Sequence, residues 1–475
     1  MTAAPRGDIA LLINASYLIA AGLFIVGLKR LSSPKTARSG NLIAAVGMFI
    51  AMAVTLLDQE ILDYSMILVG IVIGSGAGAV LARTVRMTAM PQMVGLLNGF
   101  GGGASALVAW SEFLRLRSDA AVVQLDTSIT IMLTTLIGAV TFSGSMIAFG
   151  KLQELVTSRA VTYPLQKTLN GILFLIILIL SGYSVVVFGN PSVYTLLLAA
   201  SLLLGVLLVI PIGGADMPVV ISLLNSYSGL AGASAGFVLH NNILIISGAL
   251  VGASGIILTQ IMCWAMNRSL ANVFFGAFGA TSEVILAGAG QGRDGDAGKS
   301  VQDISAEDAA TLLAYARSVI VVPGYGLAVA QAQHQVRELA DLLEKRGGVV
   351  KYAIHPVAGR MPGHMNVLLA EAHVPYPKLF DMEDINPEFE RTDVALVVGA
   401  NDVVNPAARH SPNSPIYGMP ILDVDKAQHV IVLKRSLNPG FAGIDNELFY
   451  NGKTVMLFGD ARDSLMKLVS EVKNA

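Results

Sequence analysis

The sequence predicts an α-helical membrane bundle of about nine transmembrane helices, followed by an α/β domain built on a doubly wound parallel sheet. Two observations predict this division. Long apolar runs fill residues 1–275, whereas residues 290–475 have the composition of an ordinary soluble domain. The whole chain is 54% apolar and only 13% charged, which is unusual for a soluble protein. We predict a membrane domain at residues 1–275, a flexible linker at 276–307 and a globular domain at 308–475.

Nine apolar runs divide the membrane part. Each has roughly 16–23 residues and, with its flanking residues, is long enough to cross about 30 Å of hydrocarbon. The first run follows a single basic residue, Arg6, and has no cleavage-site pattern, so we expect it to be retained as a span. The predicted limits are Ile9–Leu28, Leu42–Leu57, Tyr64–Leu81, Val94–Trp110, Ile129–Phe149, Ile172–Phe188, Val193–Ile210, Met217–Leu239 and Ile243–Met262.

Charges in the connecting loops predict the orientation. The first, third and fifth loops are basic, whereas the second is acidic and the fourth is mixed. Basic loops face the cytoplasm, so nine spans place the N-terminus outside and the globular domain in the cytoplasm, as in a multi-pass protein of the inner membrane. The basic residues are Lys29, Arg30, Lys35, Arg38, Arg83, Arg86, Lys151, Arg159 and Lys167.

A few polar side chains fall within or beside the predicted spans. Asn98 lies in the fourth span, Asp216 directly precedes the eighth at its cytoplasmic start, and Asn225 and Ser226 lie within the eighth. Hydrocarbon penalises such groups, so they indicate either a functional route or hydrogen bonds between helices. Since a helix turns by about 100° per residue, Asn225 falls opposite Asp216, and any route between them must use neighbouring helices.

In the globular part, the apolar run Val319–Val322 predicts a buried strand, and Gly324 and Gly326 follow it closely. A helical pattern then runs from Ala328 to Arg346. A strand, a glycine turn and a helix together direct backbone N–H groups and a helix N-terminus toward a phosphate. Val329 replaces the third glycine of this fingerprint, which predicts a slightly wider contact between helix and strand.

Basic residues at two strand ends favour NADP over NAD. The strand Val349–Ile354 leads to Arg360 without a carboxylate, where a site for NAD has an acid that accepts the ribose hydroxyl. Lys434 and Arg435 follow another apolar run. Guanidinium and ammonium groups suit a 2′-phosphate, although each cation alone could be an ordinary surface charge.

Glycines and polar residues follow three further strand-like runs, at Gly399–Asp402, Gly440–Gly443 and Gly459–Ala461. Each could be a turn or a helix cap, but together they describe one crevice at the carboxyl edge of a Rossmann-type sheet. Asp402 is the only acid of its turn and a candidate pH-sensing group. The six predicted strands are Ser318–Val322, Val349–Ile354, Lys378–Phe380, Val394–Val398, Val430–Leu433 and Thr454–Phe458.

Composition argues against several functions. A net charge of −2 argues against nucleic-acid binding. The single cysteine, Cys263, excludes an internal disulfide and is expected to pack as a small apolar side chain. We predict no metal site.

Taken together, these motifs resemble the β subunit of proton-translocating NAD(P) transhydrogenase, of the Re/Si-specific type. The resemblance covers nearly the whole chain and extends into its membrane part. The matching segments are Pro323–Gly326 with Ala328–Gln333, His355–Arg360, Gly399–Asp402, Lys434–Ser436, Gly459–Ala461, Gly213–Pro218, Asn225–Gly229 and Ala265–Ser269.

The resemblance implies hydride transfer between NAD(H) and NADP(H), coupled to proton movement across the membrane. It implies that this chain holds NADP(H), that a partner α subunit holds NAD(H), and that α/β units form a dimer in the lipid bilayer. Asp402, Asp216, Asn98, Asn225 and Ser226 would serve proton coupling. The implied cofactor-binding residues are Gly324, Tyr325, Gly326, Ala328, Val329, Ala330, His355, Val357, Ala358, Gly359, Arg360, Gly399, Ala400, Asn401, Asp402, Lys434, Arg435, Ser436, Gly440, Phe441, Ala442, Gly459, Asp460 and Ala461.

Three positions depart from the family pattern. Asn98 stands where some members have a histidine implicated in proton transfer, and an amide cannot titrate. Phe441 stands where tyrosine is common, so a ring is kept and a hydroxyl is lost. Trp264 replaces a basic residue found in relatives.

Two other classes of function compete with this interpretation. A membrane transporter or channel gated by an NADP-sensing domain would need neither a partner nor a second dinucleotide. A membrane-anchored NADP dehydrogenase would need an acid–base residue in the crevice, and His355 is the only candidate that the sequence offers.

Overall fold

The computed structural model describes residues 6–58, 64–86, 89–118, 123–157, 161–213, 216–267, 301–361, 363–412, 414, 416–440 and 442–474. Two compact units divide the chain: Met1–Ile212 with Val220–Leu258, and Gly213–Val219 with Thr259–Ala475. The first holds most of the long helices, and the second holds the sheet.

Nine helices of 19–29 residues occupy the described part of the chain between residues 6 and 265, and each overlaps one predicted span. Eight of them are long and apolar enough to cross a membrane. The other, α8, has 22 residues, and its serines and Asn225 make it less apolar, so the count of nine spans stays a prediction. The helices are α1 Arg6–Leu31, α2 Pro34–Asp58, α3 Ser65–Thr84, α4 Met90–Ser118, α5 Leu125–Leu152, α6 Gln166–Val186, α7 Pro191–Val209, α8 Met217–Val238 and α9 Asn242–Ala265.

Glycines bring two pairs of these helices into backbone contact. A Cβ atom on Gly138 of α5 would lie 2.7 Å from the Gly102 carbonyl oxygen of α4. A Cβ atom on Gly229 of α8 would lie 2.4 Å from the Gly252 nitrogen of α9. Small residues at such crossings allow the dispersion contacts that hold helices together in lipid.

Seven parallel strands form one sheet in the order β1-β7-β6-β5-β2-β3-β4. The six predicted strands are confirmed as β2 to β7. The strands are β1 Gln302–Asp303, β2 Ser318–Pro323, β3 Val349–Ile354, β4 Leu379–Asp381, β5 Val394–Val398, β6 His429–Lys434 and β7 Thr454–Phe458. Shorter helices connect them: α10 Ala306–Tyr315, α11 Tyr325–Val329, α12 Gln333–Lys345, α13 His364–Glu371, α14 Met382–Ile385, α15 Ala407–His410 and α16 Ala461–Asn474, with 3₁₀ helices at Tyr376–Lys378, Asn386–Arg391, Asp402–Val404, Val424–Lys426 and Glu447–Tyr450.

The end of the predicted linker is structured. Gln302 and Asp303 pair with β7, and the Ser305 hydroxyl accepts the Asp308 N–H at 3.1 Å to cap α10. Residues 301–307 therefore belong to the globular fold, while residues 276–300 of that linker lie outside the described residues.

Apolar side chains cover both faces of the sheet. On one face, Val321 and Leu396 pack with α10, α12, α13 and α16. On the other face, Val322 and Val397 pack with Phe389 and Phe449. Because the central strands are buried on both faces, their sequences are continuous apolar runs.

The helix predicted from Ala328 to Arg346 is interrupted, so that part of the prediction is wrong. Gln331 has a φ of 50°, and α11 ends at Val329 before α12 begins at Gln333. The sequence analysis predicted that Val329 would widen the contact between helix and strand. In the structure its side chain is 49% exposed and does not lie in that contact.

Candidate functional site

The loops after β2 and β5 cross each other where the strand order reverses. The Gly324 N–H donates to the Val398 carbonyl at 2.9 Å, and the Gly326 N–H donates to the Gly399 carbonyl at 2.9 Å. A Cβ atom on Gly324 would lie 2.4 Å from the Ala400 Cα, and Gly399 has a φ of +65°. The glycines are therefore required by this close approach, at the switch point where open α/β sheets bind ligands.

This geometry corrects one expectation about the glycine fingerprint. The N–H groups of Gly324 and Gly326 bond to the last residue of β5 and to the loop after it, so they do not point into open space. The helix that follows, α11, has only five residues, and so its dipole is small. Side chains, rather than this helix terminus, carry most of the positive charge at the switch point.

His355, at the end of β3, is buried and fully hydrogen-bonded. Its Nδ1 accepts the Val357 N–H at 3.3 Å, which leaves Nε2–H to donate to the Pro420 carbonyl at 2.9 Å. Burial lowers the pKa of His355 to about 4, so the ring is neutral at physiological pH. Because both nitrogens are engaged, His355 is poorly suited to the acid–base role that the competing dehydrogenase interpretation would need.

Arg360 lies beside Tyr325, so the ends of β3 and β2 meet. The guanidinium carbon lies 4.8 Å from the centre of the Tyr325 ring, within cation–π range. The Arg360 N–H donates to Nδ1 of His364 at 3.0 Å. Burial, followed by the charge of Arg360, lowers the pKa of His364 to about 4. The sequence analysis did not identify His364. The one feature that could have indicated it is its spacing of four residues from Arg360.

Three candidate residues directly precede Arg360. Ala358 belongs to the hydrophobic core on one face of the sheet, and Val357 packs against the core on the other face. Gly359 has a φ of +109°, and a Cβ atom there would lie 2.5 Å from the His364 Nδ1. These three residues shape the turn that presents Arg360.

Lys434, Asn401 and Asp402 form one hydrogen-bonded cluster across the ends of β6 and β5. The Lys434 ammonium donates to Oδ1 of Asn401 at 3.3 Å and to the Asn438 carbonyl at 2.6 Å. Nδ2 of Asn401 donates to Oδ1 of Asp402 at 3.2 Å. Burial lowers the pKa of Lys434, while Asp402 and Asp445 act in the opposite direction.

The loop after β6 passes directly over this cluster. Oδ2 of Asp402 accepts the Ala442 N–H at 2.9 Å. A Cβ atom on Gly440 would lie 2.3 Å from Nδ2 of Asn401 and 2.7 Å from Oδ1 of Asp402, so the absence of a side chain at Gly440 lets the loop lie close to both. Ser436 accepts the Asn438 N–H at 3.4 Å, and Arg435 is exposed. Phe441 lies outside the described residues.

At the end of β7, Gly459, Asp460 and Ala461 make contacts that begin α16 and join it to β6. Oδ1 of Asp460 accepts the Arg462 N–H at 3.0 Å, which is the contact of a helix cap. Gly459 donates its N–H to the Lys434 carbonyl at 3.1 Å, and Ala461 is buried at the start of α16. Asp460 therefore fits the capping alternative.

In the helical part, two polar candidates bond between helices. Nδ2 of Asn98 donates to the Ile221 carbonyl of α8 at 3.3 Å, and the Ser226 hydroxyl donates to the Gly252 carbonyl of α9 at 2.7 Å. Asn225 and Asp216 are half-buried. Asn98 and Ser226 thus join α4, α8 and α9.

Comparison with known proteins covers nearly the whole chain. A family model described as NAD(P) transhydrogenase beta subunit matches residues 13–471. The chain is 52% identical over 459 residues to the NAD(P) transhydrogenase subunit beta of Rhodospirillum rubrum, covering 96% of this chain and 98% of that protein. The same subunit from a named strain of that species gives the same identity and coverage.

Proposed function

Because the chain belongs to the NAD(P) transhydrogenase beta subunit family, we propose that it holds NADP(H) at the switch point between β2 and β5. A partner α subunit holds NAD(H), and hydride passes between the two nicotinamides while protons cross the membrane. The family favours this function over an NADP-sensing transporter or channel. In this proposal the enzyme is of the Re/Si-specific, proton-translocating type, and two α/β units associate.

The cations that flank the switch point carry this proposal. In the order β6-β5-β2-β3, Lys434 ends β6 and Arg360 follows β3, so one cation stands on each side of β5 and β2. His355 is neutral where a site for NAD would place a carboxylate. Arg360, Lys434 and the exposed Arg435 fit a 2′-phosphate, because each can donate hydrogen bonds to an anion and the described residues that directly follow β3, His355 to Met361, include no carboxylate that would repel it.

When bound, the nicotinamide would supply the carbon that accepts or releases hydride. The chain itself would hold the cofactor: the close contact of Gly324 with Gly399 fixes the two loops, and the Tyr325 ring orients the Arg360 guanidinium. Asp402 accepts from Asn401 and Ala442 as an ionised carboxylate, so its protonation would weaken the contact with the loop after β6. In this way a proton at Asp402 changes how the site holds NADP(H).

The route through the membrane is the other part of the proposal. Asp216, Asn98, Asn225 and Ser226 are its polar groups, and the neutral ones pass a proton only through bound water. The loop charges favour an orientation with the N-terminus outside the inner membrane and the sheet in the cytoplasm. Protease protection of tags at the two ends tests this orientation, and tags protected on the same side would contradict it.

Nucleotide titration of the full-length chain, purified in detergent, tests the central proposal. We expect NADP(H) to bind at least tenfold more tightly than NAD(H), since each charge-assisted contact contributes about 1.5–3 kcal/mol. Hydride transfer should appear only when the α subunit is added. Equal affinities for the two cofactors, or transfer from NADH to NADP⁺ by this chain alone, would overturn it.

A further inference from the structure

The side-chain amide of Asn401 lies between two charged groups and has one orientation that satisfies both. Its Oδ1 accepts from the Lys434 ammonium at 3.3 Å, and its Nδ2 donates to the Asp402 carboxylate at 3.2 Å. An ammonium group can only donate, and an ionised carboxylate can only accept. An amide turned by half a rotation would place Nδ2 against the ammonium and Oδ1 against the carboxylate, and both contacts would be lost.

Asn446, which the sequence did not single out, holds Asn401 in that orientation. Asn446 is 1% exposed, and its Nδ2 donates to the Asn401 main-chain carbonyl at 2.9 Å and to Asn401 Oδ1 at 3.4 Å. The Asn446 Oδ1 accepts the Leu448 N–H at 2.9 Å, which caps the 3₁₀ helix Glu447–Tyr450. Because the cap fixes Oδ1, Nδ2 must face Asn401, and the oxygen of the Asn401 amide is drawn to that side.

We propose that Asn446 is a positioning residue, which sets the Asn401 amide so that it stabilises ionised Asp402 and places the Lys434 ammonium. The inference rests on the proposed function, in which Lys434 binds the 2′-phosphate and Asp402 links protonation to NADP(H) binding. The charged groups around the cluster are Lys434 at the end of β6 and Asp445 in the loop after it. Turning the amide would make ionisation of Asp402 less favourable and would withdraw an acceptor from Lys434.

A second buried asparagine, Asn405, provides a matched control. Asn405 is 0% exposed, its Oδ1 accepts the Ala407 N–H at 3.1 Å, and its Nδ2 donates to the Asp445 carbonyl at 3.0 Å. It therefore makes the same two kinds of bond and joins the same two loops as Asn446. Its side-chain bonds do not involve Asn401, Lys434 or Asp402. Replacing Asn405 therefore weakens the link between the two loops without removing a contact to the Asn401 amide.

The test compares Asn446→Asp with Asn405→Asp in the full-length chain. Each substitution keeps the oxygen that accepts from the backbone and replaces the donating nitrogen with oxygen. In Asn446→Asp, the new oxygen repels Oδ1 of Asn401 and turns the amide. We expect the midpoint of NADPH release against pH to rise by about one pH unit, and the NADPH affinity at pH 7 to fall about tenfold. Asn405→Asp should keep the parental midpoint.

Equal midpoint shifts in both variants, or a parental midpoint in Asn446→Asp, would overturn the inference. If Asn446→Asp does not fold, the same measurement is made on Asn446→Ser. The serine hydroxyl can still accept the Leu448 N–H but is too short to reach Asn401. A rise in the midpoint supports the inference, and the parental midpoint overturns it. If the parent itself shows no preference for NADPH or no pH dependence, the proposed function fails instead, so the two failures are distinct.

Discussion

The Asp402 carboxylate accepts the backbone N–H of Ala442 at 2.9 Å, and so joins the turn after β5 to the loop after β6. The same carboxylate accepts from Asn401, and Gly440 allows the loop to approach it closely. An ionised carboxylate accepts both bonds, whereas a protonated one loses part of that capacity. Protonation at a single residue can therefore alter the loop beside the proposed cofactor site.

Asp402→Asn should remove the pH dependence of NADPH release. The amide is neutral at every pH and keeps one oxygen for Ala442, so the site is fixed in one state while Arg360 and Lys434 are unchanged. The measurement is the release rate of NADPH from the full-length chain between about pH 5 and 9, with Asp463→Asn, at an exposed position, as the control. A parental pH profile in Asp402→Asn would assign the sensing role to another group.

Arg360→Gln should weaken NADP(H) binding by roughly 10- to 100-fold and leave NAD(H) binding unchanged, because it removes one charge-assisted contact to the 2′-phosphate. The loss should shrink as salt is raised, since salt screens the cation. Parallel titrations with both cofactors measure the effect, and Arg391→Gln, at an exposed position, is the control. An equal loss for both cofactors would show that Arg360 only supports the loop.

The sequence predicted the central strands β2, β5 and β6 because they are apolar runs that are buried on both faces. It missed β1, since Gln302 and Asp303 are polar and exposed, and a two-residue edge strand leaves no pattern. It also missed the break between α11 and α12, because Gln331 takes a positive φ without the glycine or proline that marks such a turn. Both features depend on tertiary packing.

The sequence predicted which residues belong to the candidate site, but not the side-chain hydrogen bonds that join them. Residues at the ends of parallel strands meet at one edge, and in the structure Arg360 lies beside Tyr325 and Lys434 lies near Asp402. The bond between Lys434 and Asn401 joins residues 33 positions apart and depends on side-chain directions that periodicity does not encode. Asn446 lay in a loop without a recognisable motif, so no signal could have identified it.

Gly324→Ala should destabilise the globular domain by about 1–3 kcal/mol and abolish NADPH binding, because its Cβ would lie 2.4 Å from the Ala400 backbone. Gly452→Ala is the control, since Gly452 is exposed and a Cβ atom there would meet nothing within 4 Å. Resistance of the domain to protease in increasing urea measures its stability. Equal stability of the two variants would contradict the crossing of the loops.

Acid should destabilise the globular domain through His355 and His364. The pKa of each falls from 6.5 to about 4 on folding, so the unfolded chain binds more protons between these values. Stability is therefore fully present above pH 6.5 and is lost as the pH falls toward 4, by up to about 3 kcal/mol per histidine.

Urea unfolding followed by proteolysis at pH 7.5, 6 and 5 measures this loss. The exposed His410→Gln should keep the parental pH profile. A domain that is equally stable at pH 5 and 7.5 would show that the rings are not held neutral.

Asn98→Leu should slow proton-linked hydride transfer by about tenfold or more while leaving the NADPH affinity of the chain unchanged. The side chain keeps its branching and its number of heavy atoms but loses the amide that donates to the Ile221 carbonyl, so α4 loses this polar link to α8. Ser105→Ala is the control, because Ser105 is buried on the same helix and bonds only to the Gly101 carbonyl one turn earlier. Proteoliposomes containing both subunits and a pH-sensitive dye report proton movement beside the rate of NADPH formation. Slowing in Asn98→Leu alone supports a place for Asn98 in the proton route, whereas equal slowing in both variants would reduce its role to helix packing.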